Sequence, residues 1–139
     1  MLLRLVGLLA CQLVCAAPAF ALELPGIEAG QWEFMTVKAG EQPLLHRECL
    51  AANYLSTTLA TTPQTSDSCT DKGLRRQGKA YVRELRCTGT NGQSELRRSA
   101  WTAVSPIHLE NRIERVAKGK TETLAQISLV RAGNCLAGQ

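Results

Sequence analysis

The placement of the cysteines constrains this chain more than any other feature. Beyond residue 21 there are four, Cys49, Cys69, Cys87 and Cys135, at gaps of 20, 18 and 48 residues. Zinc sites and thiol redox sites bring their cysteines in close pairs such as C-x-x-C. These gaps fit neither pattern, so the spacing predicts two disulfides. Gly78 lies nine residues from both Cys69 and Cys87. A three-residue turn, Gln77-Gly78-Lys79, sets Arg76 opposite Ala80 and, counting outward, Cys69 opposite Cys87. Facing residues of an antiparallel pair are close enough to bridge. The stretch is therefore expected to be a hairpin stapled at its open end. Cys49 and Cys135 pair by elimination, although four cysteines allow three connectivities.

Disulfides require an oxidising compartment, and the N-terminus supplies a route to one. Arg4 is the only charge in the first 21 residues, Leu5 to Val14 is apolar, and Ala19-Phe20-Ala21 is a small-x-small cleavage site. This pattern predicts a secretory signal peptide over residues 1–21. Its apolar run falls short of the roughly 20 residues a spanning helix needs. Leu8-Leu9-Ala10-Cys11 has the look of a lipid-attachment box. Cutting there would leave an apolar core too short for export, and Val14 before Cys15 is too large for such a box. The mature chain is thus expected to be residues 22–139, one disulfide-stabilised β domain without a transmembrane segment. The chain carries 16 Lys+Arg against 12 Asp+Glu. That bias is too mild and too scattered for a nucleic-acid binder.

Alternation fills in the rest. Gly30 to Lys38 reads as a strand with Trp32 and Phe34 on one face. Pro43 to Cys49 reads as a second, with the proline at its start, where a missing N–H costs least. Ala51, Leu55 and Leu59 recur at helical spacing, so a short helix is expected over Leu50 to Ala60. Pro63 marks the polar stretch from Thr61 to Ser68 as a loop. Strands follow the central hairpin at Gln93 to Val104, Ile107 to Ala117 and Thr121 to Arg131. Asn91-Gly92, Ser105-Pro106 and Lys118-Gly119-Lys120 separate them. Ile107, Leu109 and Ile113 are assigned to the inner face with Tyr81, Leu85, Trp101, Ile127 and Leu129. The fold class is mainly β: an antiparallel meander forming a curved sheet or small barrel, with one short helix.

Gly30-x-Trp32-Glu33, Cys49-Leu50, the Cys69/Cys87 hairpin and Gly133-Asn134-Cys135 occur in the order and spacing of a known family. The chain resembles the domain of unknown function 3617 family over roughly Gly26 to Cys135. Where members often carry a Gly and an acidic residue, this chain has Ser105-Pro106. The resemblance implies a periplasmic location in a Gram-negative bacterium. It brings no activity, cofactor or functional residue with it.

No catalytic constellation stands out in the sequence. A G-x-S-x-G nucleophile motif and a phosphate loop are both missing. Ser94, Ser99, Ser105 and Ser128 have no local histidine, though such partners need only meet in space. His46, with Glu48 two residues on, reads as an exposed strand pair. The expectation is a non-catalytic protein without a cofactor or metal, holding a small apolar or amphipathic molecule between its sheet and its helix. Trp32, Phe34 and Trp101 are the candidate contacts, because aromatics offer area with few rotamers. The alternative is an interaction protein that meets an anionic envelope partner through Arg75, Arg76, Arg83, Arg97 and Arg98 on one basic sheet face.

Overall fold

The computed structural model describes residues 22–61 and 68–136. The expected signal peptide, residues 1–21, lies outside the described residues. The order is β1 (Gly30–Lys38), β2 (Leu44–Leu50), α1 (Tyr54–Ala60), β3 (Cys69–Gln77), β4 (Ala80–Thr88), β5 (Ser94–Ser105), β6 (His108–Ala117) and β7 (Lys120–Gly133). The strands form one antiparallel sheet in the order β2-β1-β7-β6-β5-β4-β3. The ends β2 and β3 do not pair with each other, so the sheet is curved but open; of the two forms expected, the barrel is not made.

Both disulfides expected from the sequence are present, Cys69–Cys87 and Cys49–Cys135. The hairpin reaches its cysteine pairing by a different count. Gln77 faces Ala80, so the turn is two residues long, with Gly78 at φ 61°. A glycine at the first central position suits such a tight hairpin turn. That shorter turn alone would misalign the cysteines by one residue. A bulge between Asp71 and Leu74 restores the register, with Gly73 at φ 83° and its N–H donating to Asp71 Oδ1. A glycine takes this backbone conformation without the steric cost a side chain would carry.

Strand alternation sorts the sheet into two faces. On one, Trp32, Phe34, Tyr81, Trp101, Leu109 and Leu129 are buried and pack with Leu55 and Leu59 of α1. The helix begins later than expected, at Tyr54, because Leu50 is the buried last residue of β2 and a turn intervenes, with Tyr54 N–H donating to Ala51 C=O. Ala51 is exposed and takes no part in the apolar stripe. Leu85, Ile113 and Ile127 are half-buried on the same face. Ile107 departs from expectation: it lies in the β5–β6 turn, where Ser105 faces His108, and is 44% exposed. The inner-face position between Leu109 and Ile113 is taken by Asn111, which is buried and accepts a hydrogen bond from Ser99 Oγ at 3.1 Å. Among the described residues no helix lies over the other face.

Candidate functional site: a crevice beside the helix

Helix α1 covers only part of its face. Tyr54 stands edge-on to both Phe34 and Trp101, with ring centroids 6.5 and 6.3 Å away. Burial pushes the Tyr54 phenol above its ordinary pKa. Among the described residues a crevice of about 620 Å³ opens past the last turn, between Thr58, Leu59 and Thr61 on one side and β4, β5 and β6 on the other. Leu59, Leu85, Trp101 and Ile113 give it an apolar lining, and Arg83, Arg97, Ser99 and Asn111 add polar groups. That combination of apolar walls with a few convergent polar groups characterises small-molecule sites.

The structure separates the three candidate aromatics. Trp101 lines the crevice. Trp32 has no exposed surface, and its Nε1–H donates to Glu28 C=O at 3.0 Å. Phe34 is buried, stacked on His46 at 4.5 Å and set against Tyr54. Trp32 and Phe34 hold the core that seats the helix, so only Trp101 is presented to the crevice.

The five candidate arginines do not share a face. Arg76, Arg83 and Arg97 lie on the helix side, whereas Arg75 and Arg98 lie on the other. Arg83 has a structural task that sequence reasoning missed. Its guanidinium donates to Leu59 C=O at 2.7 Å, to Thr61 C=O at 3.3 Å and to Asp71 Oδ2 at 3.1 Å. A cation suits a helix C-terminus, where carbonyls lack partners. Arg76 donates to Gly78 C=O and sits 6.0 Å from the centre of the Tyr81 ring. Arg97 pairs with Glu95 at 2.8 Å but stays 58% exposed at the crevice, the most accessible charge there.

On the open face, Arg75, Glu84, Arg98 and Glu114 come from four successive strands and form a ladder. Glu84 takes Arg75 at 2.7 Å and Arg98 at 2.9 Å, and Arg98 reaches Glu114 at 3.5 Å. The Arg75 guanidinium, helped by Arg98, holds the buried Glu84 carboxyl down to about 2. The same face brings Ser128 Oγ to His108 Nε2 at 3.3 Å, and Glu110 approaches that nitrogen at 3.6 Å. A nucleophile relay needs serine and carboxylate on opposite imidazole nitrogens. Here both stand at Nε2. Among the described residues no three His, Cys, Asp or Glu side chains gather as a metal set.

Two disulfides in an antiparallel sheet with one helix define a class of small proteins suited to an oxidising, extracytoplasmic location. Among the described residues no helix is long and apolar enough to cross a membrane. Within that class the chain belongs to DUF3617, described as a protein of unknown function, which it matches over residues 27–135. Neither a curated protein nor a solved structure matches it.

Proposed function

We propose that this is a periplasmic, non-catalytic binding protein that holds a small apolar or amphipathic molecule in the crevice between α1 and the sheet. The observation that carries this reading is the crevice itself. Leu59, Leu85, Ile113 and Trp101 surround a volume suited to a small ligand, with the exposed Arg97 beside it. The apolar walls favour a hydrocarbon or ring body, and Arg97 favours a polar or anionic end. The export pattern at residues 1–21 and the disulfides support the compartment.

The alternative, recognition of an anionic partner through a basic face, has less support. The five arginines divide between two faces, and Arg75, Arg83 and Arg98 are held by Glu84 and Asp71. Native mass spectrometry of protein released gently from its host tests the proposal. The expected spectrum contains a small co-purifying molecule that stays bound when salt is raised to about 1 M, where the Debye length is about 3 Å, and is lost in Trp101→Ala. A bare mass, or a partner protein released by salt, would count against it.

A further inference from the structure

The open face also holds a cavity, and its charges suggest an occupant. Residues from β1, β7, β6, β5, β4 and the end of β3 line one groove of about 630 Å³, so the sheet is concave on this side. The β1 wall is apolar and accessible: Met35 is 44% exposed and Val37 38%. Three arginines and three glutamates lie in the groove or its adjoining ladder, Arg75, Arg98, Arg112, Glu84, Glu110 and Glu114, so their formal charges cancel. They are not equally engaged. Arg75, Glu84, Arg98 and Glu114 are joined by contacts of 3.5 Å or less. Arg112 comes no closer than 3.8 Å to Glu114, and among the described residues Glu110 finds only His108, at 3.6 Å. Both are mostly exposed, at 57% and 58%. They stand two residues apart on β6 and so project from the same face about 7 Å apart. A weakly engaged anion and a weakly engaged cation thus sit side by side on the floor beneath an apolar wall.

We propose that this groove binds a zwitterionic amphiphile, with its ammonium at Glu110, its anionic group at Arg112 and its hydrocarbon chain along Met35 and Val37. A purely anionic ligand would face Glu110 and Glu114, and a purely cationic one Arg98 and Arg112; a zwitterion meets one opposite charge at each end. This site is on the opposite side of the sheet from the crevice beside α1 and does not depend on it.

The test is a calorimetric titration of the intact protein with four probes below their micelle thresholds: dodecylphosphocholine, dodecanoate, dodecyltrimethylammonium and phosphocholine alone. Amide shifts in β1 and β6 locate the binding. Dodecylphosphocholine should bind up to about fivefold tighter than either singly charged chain, the worth of one exposed ion pair. It should also bind tighter than phosphocholine. Glu110→Gln should move the preference toward dodecanoate and Arg112→Gln toward dodecyltrimethylammonium. Arg115→Gln, on the helix side and outside both cavities, should change nothing. The proposal fails if the singly charged chains bind as well as the zwitterion, if the two Gln variants leave the ranking unchanged, or if the amide shifts leave β1 untouched and fall at the crevice beside α1. Equal binding of phosphocholine and dodecylphosphocholine would overturn the role of the β1 wall and leave a site for a free small zwitterion.

Discussion

The two faces of the sheet are built from the same strands and held by different physics. Along β4, Tyr81 points to the helix and Glu84 to the open groove; along β5, Trp101 and Arg98 divide the same way. The helix side is fixed mainly by apolar burial, which does not depend on protonation. The open side is fixed by a chain of carboxylates and guanidiniums, whose contribution depends on protonation. Among the described residues no layer covers the open face, whose side chains neutralise one another instead.

The largest effect should come from the helix side. Trp32→Ala removes a side chain with no exposed surface and orphans the Glu28 carbonyl. It should cost about 3–5 kcal/mol in urea unfolding. A loss well below that would mean burial does not hold this face.

Next is Glu84 on the open side. Its carboxyl titrates near 2 in the folded protein against an ordinary 4.5, so the folded state favours the charged form. That contribution is fully present above about pH 4.5, fades as pH falls and is gone below about pH 2. It amounts to about 3 kcal/mol. Glu84→Gln should lower stability at neutral pH by about that much and flatten the dependence between pH 4.5 and 2. An unchanged acid limb would break the electrostatic account of this face.

Arg83→Ala should cost about 1–3 kcal/mol, because it strips donors from the Leu59 and Thr61 carbonyls and the partner from Asp71. Hydrogen exchange should accelerate at the end of α1 while β6 and β7 keep their protection. Smallest of all, Met35→Ser on the exposed wall should change stability by no more than about 0.5 kcal/mol. A larger loss would show that the open face is packed rather than open.

Much of this architecture was legible from local signals. Alternation and turn residues placed the strands, and the Cys69–Cys87 pairing followed from the midpoint glycine. The count that led there missed two features that cancel, a turn one residue shorter and the bulge at Gly73. Gly73 was a visible clue to the bulge, since an isolated glycine in a strand often marks one. Asn111 was overlooked because a polar residue interrupts the apolar alternation, although its parity put it on the inner face. Arg83 and the Arg75–Glu84–Arg98–Glu114 ladder were beyond local reading. The first depends on where the helix end lands on β4, the second on the register of four strands. The division of the arginines between faces, by contrast, needs only alternation: Arg75 and Arg76 are neighbours on β3, and Arg97 and Arg98 on β5, so each pair points to opposite sides.

Fluorine NMR of protein labelled with 5-fluorotryptophan tests the binding claim most directly. The sequence has two tryptophans, so two signals are expected, assigned with Trp101→Phe. Titration with the uncharged apolar probe N-phenyl-1-naphthylamine should shift the Trp101 signal saturably and leave that of Trp32, sealed in the core, in place. The shift should persist between about 0.1 and 1 M salt, over which the Debye length falls from about 10 to 3 Å. A Trp101 signal that does not move, or one whose shift disappears at high salt, would contradict an apolar binding crevice beside the helix.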